Sequence, residues 1–179
     1  MSNDKIAKWF CLRVTYGREL AAKKILEENS TEVFIPMRYE YVVKNRRKTK
    51  KLVPAVSNLL FAHTDKPTLD SLKQTVVPFV RYIMKKDGEK STPLFVRTSD
   101  MENFMRVSKQ VEQDIRYISP EDYCFKAGEK VRIIGGPFIG TEGVFVKVKG
   151  ARTKRVVVTL DNLVCLATTE IPLNFIEKA

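Results

Sequence analysis

Residues 128–150 read GEKVRIIGGPFIGTEGVFVKVKG, and this stretch decides the fold of the C-terminal part of the chain. Short β-branched runs alternate in it with glycines, which can take the positive φ that tight turns require. A further β-branched run, RVVVTL at 155–160, follows a basic segment. Strands of this length and spacing predict a small curled all-β barrel. The glycines that we expect to allow its bends are Gly128, Gly136, Gly140 and Gly143.

The first turn of this barrel and its basic segment offer candidate contacts. Phe138 lies in the turn, and it could equally be an exposed contact or fill the interior. Residues 147–155 hold five cations in nine positions and could touch RNA. Since residues 111–179 hold 10 Lys/Arg against 9 Asp/Glu, a protein partner is at least as plausible. The candidate partner contacts in this segment are Lys147, Lys149 and Arg152.

The net charge of +11 is concentrated upstream, where residues 1–110 hold 22 Lys/Arg against 12 Asp/Glu. Such an excess favours a polyanionic partner, although solubility alone could account for it. No apolar run approaches the ~18 residues that a membrane span needs. The polar start MSNDKIAKWF is also unlike a secretory signal. We therefore expect a cytoplasmic protein.

We expect neither catalysis nor a metal or cofactor. Cys11, Cys124 and Cys165 are far apart and form no CxxC pair, so they are expected to be small buried hydrophobic residues. His63, the single histidine, is expected to be structural. The GxxxGxxG pattern of residues 136–143 lacks a following lysine and lies between predicted strands, which excludes a P-loop.

The upstream part, residues 6–110, mixes short apolar runs with amphipathic segments. The runs predict strands at 8–15, 32–36, 39–43, 59–62 and 80–84, and the segments predict helices at 18–28, at 67–74 and from about Ser99. This order predicts an α+β sandwich, in which helices flank an antiparallel sheet. Residues 111–123 are polar and are the predicted linker to a second domain at 124–179.

A strongly basic segment lies between two of the predicted strands. It places six cations in eight residues, namely Lys44, Arg46, Arg47, Lys48, Lys50 and Lys51. These charges repel one another unless they are solvated or face phosphate, so the segment is either a solvated loop or a nucleic-acid contact.

Several separated blocks resemble the N-terminal domain of the NusG family. They are Lys8-Trp9-Phe10, the Gly17-x-Glu19 turn into a basic helix, EVFIP at 32–36, and Pro93-Leu94 before a capped helix. Residues 125–172 resemble the SH3-like KOW domain that follows in that family. At 56–60, NusG proteins carry a Phe-Pro-Gly-Tyr-Val type strand, whereas this chain has VSNLL. In this it is similar to the specialised antiterminators of capsular-polysaccharide operons (UpxY-like) and, more distantly, to RfaH.

The resemblance implies a transcription elongation factor that suppresses pausing and termination. Its N-terminal domain would dock on the clamp helices of RNA polymerase, beside DNA or nascent RNA. The KOW domain would recruit a ribosomal protein or Rho. The docking candidates are Leu59, Phe61, Phe79 and Tyr82, with Tyr39 and Tyr41 as weaker ones. Because strand side chains alternate between faces, some of these must be core.

A structural RNA-binding or ribosome-associated KOW protein is the alternative interpretation. The upstream α+β domain argues against it, because a ribosome component would not need a second domain of this type.

Overall fold

The computed structural model describes residues 5–118, 128–148, 152–160 and 163–179. They form two compact units, each built from two segments of the chain. Unit 1 comprises Met1–Pro36 and Val56–Thr98, and unit 2 comprises Met37–Ala55 and Ser99–Ala179. None of the helices in the described ranges is long and apolar enough to cross a membrane.

The chain forms mixed α and β structure with few helices. In chain order its elements are β1 (Lys8–Val14), α1 (Glu19–Glu28), β2 (Glu32–Phe34), β3 (Met37–Lys44), β4 (Arg47–Pro54), β5 (Leu59–Thr64), α2 (Lys66–Thr75), β6 (Val80–Tyr82), β7 (Met84–Asp87), β8 (Lys90–Pro93), β9 (Phe95–Val96), α3 (Thr98–Ser108), β10 (Arg116–Ile118), β11 (Glu129–Ile133), β12 (Glu142–Lys147), β13 (Lys154–Leu160), β14 (Val164–Ala167) and β15 (Ile176–Lys178).

Unit 1 is built on an antiparallel sheet in the order β2-β5-β1-β6, with β9 pairing the remaining half of β1. Its central strands carry the buried runs Trp9–Leu12 and Leu59–Ala62. A continuous apolar run is typical of a strand that is covered on both faces, which explains why these two occupy the centre. Pro36 follows edge strand β2, where a missing N–H leaves no gap in the sheet.

The helices begin where local signals place them. Asp65 caps α2, because its carboxylate accepts a bond of 2.9 Å from the Thr68 backbone N–H, and Pro67 occupies the first turn. At α1 the buried Glu19 carboxylate accepts the backbone N–H of Asn58, which ties the helix start to the loop before β5. The three predicted helices are therefore confirmed, within one or two residues at their ends.

A long hairpin of β3 and β4 belongs to unit 2. The pairing runs from Met37 opposite Pro54 to Lys44 opposite Arg47, so the turn consists of Asn45 and Arg46 alone. Both turn residues have positive φ, +50° and +61°, as the common two-residue hairpin turns require. The basic segment thus forms the turn and the adjoining strand residues of a hairpin, and of its two sequence-based interpretations the solvated loop does not describe its backbone.

The C-terminal part of unit 2 forms a six-stranded antiparallel sheet in the order β10-β14-β13-β12-β11-β15. The predicted β-rich C-terminal region is confirmed in this form. β10 lies inside the predicted linker 111–123, so part of that segment belongs to the sheet. Residues 119–127, which include Cys124, are outside the described ranges.

Close packing in this sheet explains its glycines and its phenylalanine. A Cβ on Gly143 would lie 2.6 Å from the Val157 carbonyl oxygen, and one on Gly128 would collide with Val144 and Val146. Gly136 and Gly140 instead take positive φ in the turn after β11. Phe138 between them is fully buried, so it fills the interior rather than offering an exposed contact.

Arg155 is a structural residue, although the sequence counts it among the cations of the second basic segment. Its side chain is 8% exposed and its Nη2 lies 3.0 Å from Oδ2 of Asp114. Its Nη1 also donates to the backbone carbonyls of Asp114 and Thr168 at 2.9 and 2.8 Å. The guanidinium therefore joins the segment before β10 to the end of β14.

Replacing Arg155 by Met should destabilise the protein by about 2 kcal/mol, because buried carbonyls would lose their donor. Arg132→Met is the matched control. Its ion pair with Glu142 is about half exposed on both sides and should contribute less than about 1 kcal/mol. Urea unfolding of both variants measures the difference. Equal stability losses would show that Arg155 does not hold these segments together.

Candidate nucleic-acid interface

The pairing of the β3–β4 hairpin sorts its side chains into two chemically different faces. Directly opposite residues of an antiparallel pair share a face. One face, named here the aromatic face, carries Tyr39, Tyr41 and Val43 from β3 and Lys48, Lys50 and Leu52 from β4. The opposite face carries Arg38, Glu40, Val42 and Lys44 from β3 and Arg47, Thr49, Lys51 and Val53 from β4.

On the aromatic face, lysines lie directly over tyrosine rings. Lys50 Nζ is 3.7 Å from the ring centroid of Tyr39, and Lys48 Nζ is 4.4 Å from that of Tyr41. Tyr41 is 61% exposed, and every residue from Tyr41 to Leu52 is exposed. Alternating cations and exposed rings are the combination that holds phosphates and stacks on bases in nucleic-acid-binding proteins.

All six cations predicted as nucleic-acid contacts are therefore on the surface of one element. Lys48 and Lys50 are on the aromatic face, and Lys44, Arg47 and Lys51 are on the opposite one. Arg46 is in the turn. The sequence shows how many cations the segment holds, but only the pairing of the strands shows which face each cation occupies.

A carboxylate from a distant segment contacts the base of the aromatic face. Oε2 of Glu112 lies 2.8 Å from Lys50 Nζ, and Glu112 also bonds the Tyr39 hydroxyl. Both bonds, that of Lys50 above all, lower the pKa of Glu112 below its ordinary value of 4.5. Reciprocally, the bond to Glu112 raises the pKa of Lys50 and of Tyr39. Sequence reasoning missed Glu112, since 62 residues separate it from Lys50.

The segment that carries Glu112 forms one wall of a groove of about 640 Å³ along this face. The groove is lined by Arg38, Tyr39, Tyr41, Lys50 and residues 111–117. Tyr117 anchors the wall, because its hydroxyl bonds Ser108 Oγ at 2.7 Å and the Met37 carbonyl at 3.3 Å. Burial raises the pKa of Tyr117 to about 12, so this hydroxyl stays protonated at neutral pH.

The structure separates the four docking residues predicted in unit 1. Leu59 and Phe61 are buried, 4% and 0% exposed, and belong to the core of central strand β5. The prediction that they form a docking surface is wrong for this structure, because a strand covered on both faces presents neither side chain to a partner.

Phe79 and Tyr82 are partly exposed and remain candidates. The Arg18 guanidinium carbon lies 3.9 Å from the Phe79 ring centroid, and Lys73 Nζ lies 3.6 Å from that of Tyr82. The Tyr82 hydroxyl donates to Asp70 at 3.0 Å. Burial first, and then this bond, raise the pKa of Tyr82. Both rings thus lie on the surface under a cation.

The remaining predicted contacts are in the C-terminal sheet. Lys147 and Arg152 are exposed, at the end of β12 and just before β13. Lys149 lies outside the described residues.

His63 and two of the cysteines have structural surroundings. His63 stacks on Trp9 with ring centroids 4.9 Å apart, and its Nδ1 lies 3.3 Å from Glu32 Oε2. Cys11 and Cys165 are buried, and burial raises the pKa of the Cys165 thiol to about 11. Within the ranges that the structure describes, no group of three His, Cys, Asp or Glu side chains could hold a metal.

The fold and this surface define a mixed α/β protein of two units that exposes a cationic, aromatic hairpin. The family model described as transcription termination factor nusG matches residues 7–105. The chain therefore belongs to the NusG family of transcription factors. A solved structure titled "Domain interaction in Thermotoga maritima NusG" is similar at 20% identity and a TM-score of 0.47, over 96% of this chain and 97% of that one. A search of curated proteins found no match.

Replacing Lys50 by Gln should raise the pKa of Glu112 toward 4.5, because the ammonium is the main group that stabilises its carboxylate. In the unchanged protein the contact is complete above pH 4.5 and is lost as the pH falls through the lowered pKa of Glu112. An NMR titration of the Glu112 carboxyl carbon measures its pKa in the variant and in the unchanged protein. Lys48→Gln is the control and should leave this titration unchanged.

Proposed function

We propose that this protein is a transcription elongation factor that binds the clamp region of RNA polymerase and suppresses pausing and termination. It acts in the cytoplasm on particular operons, as a specialised antiterminator. Residues 6–110 form the polymerase-binding domain, and residues 124–179 form a KOW domain that recruits a second protein. The observation that carries the proposal is the family match over residues 7–105. These residues contain Phe79, Tyr82 and the cationic β3–β4 hairpin with its aromatic face.

Phe79 and Tyr82 support the polymerase contact. Each ring is half-buried, so it is held in position by the core while one side remains open to a partner. Aromatic residues, phenylalanine included, and arginine are enriched at the cores of protein–protein interfaces. Arg18, stacked on Phe79, adds a charged group to the same surface.

The hairpin supports a nucleic-acid contact beside the polymerase. Its cations are exposed and project from a two-stranded element whose outer half contacts little else. Lysines and arginines that neutralise phosphates release counterions, and this dominates non-specific affinity for DNA and RNA.

The features of the C-terminal sheet favour the recruitment of a protein over the binding of nucleic acid. Arg155, one of five cations in its basic segment, is buried in an ion pair. The remaining exposed candidates, Lys147 and Arg152, belong to a part of the chain, residues 111–179, in which positive and negative charges are nearly equal in number. A ribosomal protein or Rho is the proposed partner.

Capture of purified RNA polymerase by the full chain tests the proposal. Phe79→Ala should weaken capture about tenfold, the usual effect of removing an important interface aromatic. Phe95→Ala is the matched control, since Phe95 is also exposed but pairs with the opposite end of β1. Equal effects of the two changes would remove Phe79 from the interface. Recovery of ribosomes without polymerase from a lysate would instead favour the ribosome-associated alternative.

Neutralising the hairpin tip should weaken binding to DNA and RNA and flatten its salt dependence. In Lys44→Gln/Arg46→Gln/Arg47→Gln, each lost phosphate contact should reduce the slope of log K against log salt by about 0.7–0.9. The control removes Lys85, Lys86 and Lys90 from the β7–β8 hairpin in the same way. Should both triple variants keep the slope of the unchanged protein, the tip does not contact phosphates.

A further inference from the structure

We infer that the groove on the aromatic face binds single-stranded nucleic acid, and that Glu112 occupies the place of a phosphate when the groove is empty. The inference rests on the proposed nucleic-acid contact and goes beyond it, because it names the face, the strandedness of the ligand and a residue that restrains binding.

The chemistry of the groove favours unpaired bases. Tyr39 and Tyr41 project from the same side of β3, two residues apart, and each has a lysine ammonium over one side of its ring. Rings at the floor of a groove can stack on bases only when these are turned out of a duplex. The volume of about 640 Å³ lies within the roughly 300–1,000 Å³ typical of sites for small organic groups. Cations for the backbone border the same rings, namely Lys48 and Lys50.

Glu112 makes contacts that a phosphate oxygen could make. Its carboxylate accepts from Lys50 at 2.8 Å and from the Tyr39 hydroxyl. Its side chain is 66% exposed, so it can rotate into solvent with little loss of packing. A negative ligand must displace it, and Glu112 therefore lowers the affinity of the groove.

Asp114, the other carboxylate of this wall, does not compete in the same way. It lies 3.0 Å from the buried Arg155 guanidinium and is held by it. Of the two acidic residues lining the groove, Glu112 is thus the one that restrains a cation of the aromatic face.

Fluorescence anisotropy with the full chain tests the site, using a labelled oligo-dT strand and a duplex of equal length. Tyr41→Ala should weaken binding to the strand about tenfold, as loss of one stacking ring does, and leave the duplex nearly unaffected. Tyr41→Phe should retain binding to the strand. Tyr16→Ala removes a tyrosine that is 91% exposed in unit 1 and is the control.

Glu112→Gln should tighten binding to the strand about fivefold, because it removes a charge that competes directly for Lys50. Glu102→Gln changes the net charge equally at an exposed site on α3 and should have a much smaller effect. Tighter binding cannot result from misfolding, so this variant remains informative whatever the stability of Tyr41→Ala.

The inference is overturned if Tyr41→Ala binds the strand with the same affinity as Tyr16→Ala and Glu112→Gln binds it with the same affinity as Glu102→Gln. It is also overturned if the strand and the duplex bind equally well in every variant, or if the unchanged protein binds neither. The polymerase capture assay separates this failure from that of the proposed function. If polymerase is captured normally but the groove variants bind the strand like their controls, the proposed function stands and the inference about the groove fails. If the groove variants change binding as expected but polymerase is not captured, the inference stands and the proposed function fails.

Discussion

The left-handed turn at Asn45 and Arg46 sets the pairing of the β3–β4 hairpin, and with it the composition of both faces. Because side chains alternate along a strand, a shift of one residue would move each tyrosine away from the lysine that now covers it. Asparagine tolerates positive φ, but arginine adopts it at a cost of about 1–2 kcal/mol. The strained residue places a cation at the outermost point of the hairpin, where a glycine would have left none.

Burial, more than charge count, distinguishes the two basic segments of the chain. The hairpin keeps its cations exposed, whereas the second segment uses Arg155 to join β13, the end of β14 and the segment before β10. A buried ion pair of this kind holds segments together only when further hydrogen bonds accompany it, and here two backbone carbonyls accept from Nη1 of Arg155. The same residue type therefore serves stability in the sheet and remains available to a ligand on the hairpin.

Local sequence patterns predicted the helices and several strands, but they missed β4 and β10 and did not predict the environment of the elements. The apolar run of β1, the helical segment at 67–74 and the glycine-bounded strands of the C-terminal sheet all predicted the observed structure. The burial of Leu59 and Phe61 could not be predicted in the same way, since alternation cannot tell whether one or both faces of a sheet are covered. The contact between Glu112 and Lys50 is equally invisible to local patterns, because it depends on the path of the chain after α3.

The groove combines a part of the chain that the family model matches with a part that it does not. Its floor, Tyr39, Tyr41 and Lys50, lies within residues 7–105, whereas its wall, residues 111–117, lies beyond them. The floor is fixed by hairpin pairing and the wall is fixed by Tyr117 and Arg155. Substitutions between these anchors would change which ligands reach the tyrosines without disturbing the sheet of unit 1. Such a division allows a member of the NusG family to vary the wall of the groove while keeping the fold of unit 1.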